Sequence, residues 1–433
     1  MLSLIKAYIK LTPDFFRSIF LHSFSFYYAL LTVHEDALFS ISRFGKSKEV
    51  LQKKINLLIK KQLIGFSSES QPIGSKDIEM IQEFFEDKNE NKVLIHGIQP
   101  DDYKTFLYLI DIYKYSLNFG SFKFAAYLKE HAASIVKDAL LSKNNISPEI
   151  LKFSLFDLDS DCLNAVINNK EILRSLKLKY PDTYLFLHLA LKQPIGIEKY
   201  KTLSNLDIKY SNFLDKKNIA IVGPSNVDEI HGAEINQFDI VIRPNFNFKT
   251  NYDNRTHGSK VHSSYYNHAA LIKRFSNVLH SSSHIDWANF KNDADKNKFL
   301  KKNHKANARS YFLADDIFYY GSAMSAQNIV YDLLLNKSEK AKLFCFDFYV
   351  SSNPYLPDYP SKETRQSFDA DFIKITSKSL RLHDPFQNFG IMKMLLRCDK
   401  ISVTPSLEEI LNLSTYNYGS KLQDLYGKFN ILC

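Results

Sequence analysis

From about residue 215 onward, short apolar runs alternate with stretches of helical spacing, and that alternation limits the folds open to the chain. Asn218-Ile219-Ala220-Ile221-Val222 is an apolar run ended by Gly223-Pro224, the pattern of a buried strand followed by a turn. Phe238–Arg243 reads as a second strand, and Lys260-Val261-His262 as the start of a third. Ala341–Phe346 and Ile401–Thr404 read as two more. Helices are expected over Ser322–Asn336, Pro385–Arg397 and Ser406–Leu413. Strands that alternate with helices build a mostly parallel sheet covered on both faces. Ligands of such sheets bind beyond the carboxyl ends of the strands, so the segment after each strand holds the candidate residues.

The first half has a different texture. Ile55–Gln62, Thr105–Leu117 and Phe122–Leu141 carry apolar residues at helical spacing. The break at Asn118-Phe119-Gly120-Ser121 suggests a helical hairpin, although no second copy recurs at a fixed period. At 433 residues the chain is long for one core. The expectation is an all-α domain over 1–212 and an α/β, Rossmann-like domain over 213–433. Asp157, Asp159 and Asp161 alternate as in a calcium loop, but the required Gly and terminal Glu are missing. They are expected to cap a helix or face solvent.

Charge and cysteine usage narrow the function. The net charge of +9 comes from scattered lysines, and no nucleic-acid module is present. It reads as a solvated surface, with an anionic nucleotide donor or an anionic membrane as the alternatives. Cys162, Cys345, Cys398 and Cys433 form no CxxC pair, which supports neither a zinc site nor a disulfide framework. That pattern fits a reducing cytoplasm. No signal peptide is evident. Phe15–Val33 is apolar and aromatic but is interrupted by Arg17 and His22. A buried helix is favoured there over peripheral contact with the inner face of the membrane.

The strand ends supply the chemistry. Gly223 lets the backbone approach a ligand, and Ser225 and Asn226 add short polar groups; no P-loop or dinucleotide fingerprint is present. Arg243 needs a partner, either a ligand or Asp239, and Asn245 offers both a donor and an acceptor. Ser322 and Ser325 stand where a helix opens, as caps or beside amides that favour an anion. Asp347, Tyr349 and Tyr355 follow a strand, and tyrosine hydroxyls can donate to developing charge. His383 precedes Asp384-Pro385, a cap and first position of a helix, and a histidine there can act as a general base.

Taken in order, these segments resemble the sialyltransferases: the bacterial surface-glycan enzymes and, more distantly, the animal enzymes with sialyl motifs. The resemblance covers roughly residues 217–415. Ile219–Ser225 is similar to the family's first nucleotide loop, and Arg243-Pro244-Asn245 to its Arg-x-Asn. Gly321–Gln327 is similar to its Ser/Thr-Gly helix start, and Phe346-Asp347-Phe348-Tyr349 with Tyr355 to the segment facing the donor phosphate. His383 falls at the catalytic histidine. The chain departs from the family in three places. The first loop lacks an Asn-Gly, Ser325-Ala326 stands for Ser-Gly, and Asn388 stands where the animal form has Glu.

The resemblance implies a sialyltransferase-like variant of the GT-A fold and inverting, metal-independent transfer from CMP-sialic acid to a hydroxyl of a bacterial surface glycan. CMP-Kdo is the alternative donor. No cofactor beyond the donor is implied. Ser225, Asn226 and Asn245 would hold the nucleotide, Gly223, Arg243 and Asp347 would join them in binding the donor, and Ser322 and Ser325 would bind the sugar carboxylate or phosphate. Tyr349 and Tyr355 would stabilise the leaving phosphate, and His383 would take the acceptor proton. The expected partners are the CMP-sugar and a glycan acceptor, lipid-linked glycans included, with no nucleic acid and with the oligomeric state open. Two other classes remain: a non-catalytic glycan-binding or assembly protein, and a metal-dependent transferase using a diphosphate donor.

Overall fold

The computed structural model describes residues 110–427, apart from 111–112, 114–115, 118–119, 121, 143–145, 337, 339, 353–354, 357–358 and 360–369. The helix expected over 55–62, the aromatic stretch 15–33 and Cys433 lie outside the described residues. Helices come first: α1 (Phe122–Leu141), α2 (Pro148–Ser154), α3 (Ser160–Asn168), α4 (Lys170–Lys179), α5 (Pro181–Ala190) and α6 (Asn205–Leu214). Capping residues set their starts. Asp159 accepts from the Cys162 amide at 2.9 Å to open α3, and Ser204 with Asp207 forms a capping box on α6. Asp157 meets the buried Lys129 at 3.2 Å.

The second half carries seven strands: β1 (Ile219–Val222), β2 (Ile240–Pro244), β3 (Ser263–Tyr266), β4 (Trp287–Phe290), β5 (Ala308–Ser310), β6 (Ala341–Phe344) and β7 (Ile401–Val403). Helices lie between and after them: α7 (Gly232–Ile235), α8 (His268–Ser281), α9 (Asp293–Leu300), α10 (Ser325–Leu335), α11 (Ala370–His383), α12 (Pro385–Arg397), α13 (Pro405–Leu411) and α14 (Thr415–Tyr426). The sheet order is β5-β4-β3-β2-β1-β6-β7, and every pairing is parallel. Strand order therefore reverses between β1 and β6, which opens a crevice beyond their carboxyl ends. Every residue of β1 and β2 is buried, as helices on both faces require.

The structure adds β4 and β5 and moves the third strand from Lys260 to Ser263. These elements escape an apolar-run reading because each is short and has a polar residue among its buried side chains. Arg309 of β5, 1% exposed, bonds Asp207 of α6 at 2.7 and 2.8 Å and Asp332 of α10 at 2.7 and 3.0 Å. Tyr265 of β3 donates to Asp332 at 2.6 Å, and Asn289 of β4 donates to Ser263 at 2.8 Å. Each buried charge has partners, the condition for keeping charges in a core. The network ties α6 to the sheet.

One hydrophobic core extends from Tyr113 and Phe122 through Phe156 and Phe186 to Ile219, Phe389 and Tyr418. At its centre Phe389 and Tyr418 stack with ring centroids 4.0 Å apart. Among the described residues, no helix is long and apolar enough to cross a membrane.

Candidate functional site

The crevice between β1 and β6 gathers the first group of residues. Gly223 is forced by space: a Cβ there would lie 2.2 Å from the Cys345 carbonyl oxygen and 2.8 Å from the Phe346 ring. The two strand-end segments are thus packed backbone to backbone. The Gly223 amide donates to the Phe344 carbonyl at 2.8 Å and the Ser225 amide to the Cys345 carbonyl at 3.2 Å. Ser225, 4% exposed, also donates its hydroxyl to Asp347 at 3.2 Å and pairs with Tyr355 in an isolated bridge. Asp347 further accepts from Ser351 Oγ at 2.5 Å and from the Tyr349 amide at 3.0 Å. Burial pushes the Asp347 carboxyl above the usual range, and these three donors oppose it. The Tyr355 hydroxyl donates to the Tyr349 hydroxyl at 2.8 Å.

The backbone around this group is unusual. Cys345, Phe348 and Tyr349 have φ of 56°, 49° and 65°, and Asn245 has 47°. Cys345, Phe348 and Tyr349 are held in the left-handed region against their own preference, while Asn245 is of a type that tolerates it. Asn245, 6% exposed, accepts from the Asn267 amide at 3.0 Å and donates to the Tyr359 hydroxyl at 3.4 Å. The Tyr355 and Tyr359 rings meet at 5.7 Å. Asn226 sits exposed at the rim.

Arg243 is 2% exposed and works on the backbone beneath this group. It donates to the carbonyls of Lys260 at 3.1 Å, His257 at 2.7 Å and Gly258 at 3.0 Å, and its guanidinium lies 4.4 Å from the Tyr252 ring centroid. Nη1 has no partner among the described residues. Asp239, the alternative partner considered above, instead accepts from the Asn218 amide at 3.0 Å. The loop held by Arg243 returns to the crevice: His257 Nε2 lies 3.1 Å from the Ser225 carbonyl and Nδ1 lies 2.7 Å from Thr256 Oγ1. Burial, reinforced by Arg243, lowers His257 to about 4.

The second group surrounds His383, the last residue of α11. Its Nδ1 lies 3.0 Å from Ser322 Oγ and 3.2 Å from the Ser322 carbonyl oxygen. A carbonyl only accepts, so that contact places the proton on Nδ1 and leaves Nε2 as the basic nitrogen. Burial holds the imidazole below its usual range, and the nearby Lys291 charge acts in the same direction. Lys291 faces Asp315 at 3.5 Å. Met324, not Ser322 or Ser325, occupies the N-cap of α10, and that helix has no side-chain cap. The hydroxyl of Ser322 is engaged by His383, and Ser325 is the first helical residue. Asp384 caps α12 as expected, donated to by the Phe386 and Gln387 amides at 3.2 and 3.1 Å. The helix α11 links the two groups: Phe372, near its start, meets the Tyr355 ring at 6.3 Å, and His383 ends it.

Several participants had no sequence signal of their own. Tyr359 and Ser351 lie in a segment whose only marker was Tyr355. Asn267 ends a strand just before a helix and shares that placement with the other candidates. The polar composition of β3 hid it. Among the described residues, no three His, Cys, Asp or Glu side chains cluster as metal ligands would. No protein-family model matches the chain, and no curated protein matches it. Among solved structures, the chain is similar to the sialyltransferase CstII from Campylobacter jejuni, solved with the substrate analogue CMP-3FNeuAc. The two are 15% identical with a TM-score of 0.29, over 47% of this chain and 87% of that one.

Proposed function

We propose that the chain is a glycosyltransferase that takes its sugar, sialic acid or Kdo, from a CMP-activated donor and passes it to a glycan hydroxyl with inversion. The observation that carries this reading is the crevice group itself. Ser225, Asp347, Tyr349 and Tyr355 are separated by up to 130 positions in sequence, yet form one hydrogen-bonded set at the point where strand order reverses. In this reading Gly223, Ser225, Asn226, Asn245 and Asp347 line the nucleotide end. Arg243 acts through the 257–260 loop that it holds. Tyr349 and Tyr355 stabilise the phosphate as it leaves, where charge develops: Tyr349 donates to it and Tyr355 donates to Tyr349. Ser325 and the uncapped start of α10 receive an anionic group of the sugar. Ser322 fixes the tautomer of His383, whose Nε2 takes the acceptor proton.

Calorimetry with CMP, UDP and GDP tests the nucleotide. CMP should bind at least tenfold more tightly than either diphosphate, about 1.4 kcal/mol. Preferential binding of UDP that requires a divalent cation would replace this reading with a diphosphate-donor transferase. Absence of any nucleotide binding would favour a non-catalytic protein.

A further inference from the structure

A side chain of the helical first half hydrogen-bonds the residue next to His383. Tyr113, fully buried among helical residues, donates its hydroxyl to Asp384 Oδ1 at 2.6 Å across 271 positions of sequence. Phe153 packs edge-on against it at 5.1 Å and Phe386 at 6.2 Å, which fixes the direction of that hydroxyl.

Asp384 does more than a helix cap requires. A cap needs one carboxylate oxygen on the first free amides. Here Oδ1 accepts both amides and Tyr113, while Oδ2 accepts Gln387 Nε2 at 2.9 Å. The residue is fully buried and is held at φ 45°, in the left-handed region. Its backbone presses on Gly321, where φ is 74° and a Cβ would lie 2.8 Å from the Asp384 Cβ. The following side chains hold the partner of His383. Gln387 accepts from the Tyr319 amide at 2.8 Å and donates to the Tyr320 carbonyl at 3.2 Å. Asn388 donates to the Ser322 carbonyl at 3.0 Å and accepts from the Met324 amide at 2.8 Å. His383 thus lies between a strained residue and a serine, and both are fixed by the same three-residue cassette.

We propose that Tyr113 is a positioning residue for His383, acting through Asp384, so that the helical half completes the site rather than only flanking it. This rests on the reading of His383 as the base. The charged and ionisable groups around the contact are Lys129, Asp157 and Tyr320, and none of them replaces the tyrosine hydroxyl on Oδ1.

The test uses the full chain carrying Tyr113→Phe, with Phe186→Leu, whose ring packs on Phe156 and Tyr331 instead, as a packing control and Asp384→Ser as a second break of the same link. Serine can cap the helix but is too short to meet Tyr113. NMR titration of the His383 imidazole, assigned with His383→Gln, is followed in each variant together with transfer kinetics. Tyr113→Phe and Asp384→Ser should each move the His383 titration toward its ordinary value. Each should also lower kcat about tenfold, the scale of a small misplacement, with the donor KM within about twofold. Phe186→Leu should leave both readouts near wild type. Wild-type titration and kcat in both link variants, or equal effects from Phe186→Leu, would overturn the proposal. If wild-type protein transfers no sugar, the transferase reading fails, and the titrations still decide whether Tyr113 positions His383.

Discussion

Replacing Gly223 with alanine puts the nucleotide-end geometry under direct test. The added methyl would lie 2.2 Å from the Cys345 carbonyl oxygen, about 1.2 Å inside ordinary contact, and both near neighbours are constrained. Cys345 is at φ 56° and its carbonyl already accepts from Ser225, while Phe346 follows it on the β6 side. The strand ends must separate by about 1 Å. That weakens the bonds Gly223 N to Phe344 O and Ser225 N to Cys345 O, each worth about 1 kcal/mol. With overpacking of about 1–3 kcal/mol, the variant should lose about 2–5 kcal/mol by urea unfolding, with the slope unchanged. The functional effect should be larger than a loss of stability alone explains. A 1 Å misplacement can cost about a hundredfold, so CMP affinity measured on the folded fraction should drop by about that factor. A folded Gly223→Ala protein that binds CMP within twofold of wild type would refute the assignment of this loop to the nucleotide.

Other outcomes follow from the same structure. His383→Ala should remove transfer while leaving CMP binding within about twofold, and full transfer by this variant would reject the base assignment. Because burial lowers the His383 pKa, the base is neutral at pH 7. The rate should therefore hold as pH falls through 6.5 and decline only below it, which a pH–kcat profile checks. Arg309→Met strands Asp207 and Asp332 in the core and should destabilise the protein by about 3–5 kcal/mol in denaturant unfolding. His257 titrates near 4 in the fold and near 6.5 when unfolded, so the unfolded state binds the extra proton between those values. Its contribution is complete above pH 6.5 and is lost as pH falls to about 4. Wild type should thus lose about 3 kcal/mol more over that window than His257→Gln does.

The sequence announces this fold where burial is apolar and conceals it where burial is polar. Ile219–Val222 and Ile240–Ile242 are legible because a parallel strand covered on both faces is apolar throughout, and Ala341–Phe344 because only the half-buried Lys342 breaks the same pattern. Helix α12 is legible to the residue because Asp384 and Pro385 mark its start chemically. Ser263–Tyr266 and Trp287–Phe290 are equally buried, and Ala308–Ser310 nearly so, but they carry Ser263, Asn289 and Arg309 inward. Ser263 and Arg309 find their partners Tyr210, Asp207 and Asp332 on helices, and Asn289 finds Ser263 on the neighbouring strand. No local pattern encodes such pairings. The site divides in the same way. Ser225, Asn245, Asp347 and His383 are visible as short polar residues at element ends, whereas the role of Arg243 depends on three carbonyls of a loop that only the fold brings beneath it. Tyr113 is the extreme case, since its partner lies 271 positions away.

The central claim is that a CMP-activated sugar is the donor, and mass spectrometry of the purified protein with CMP-sialic acid, CMP-Kdo and UDP-sugars in EDTA tests it most directly. The account predicts release of CMP from one of the two CMP-sugars, at a rate that falls by at least a hundredfold in His383→Ala. Release from UDP-sugars alone, restored by added metal, or CMP release that His383→Ala leaves unchanged, would contradict it.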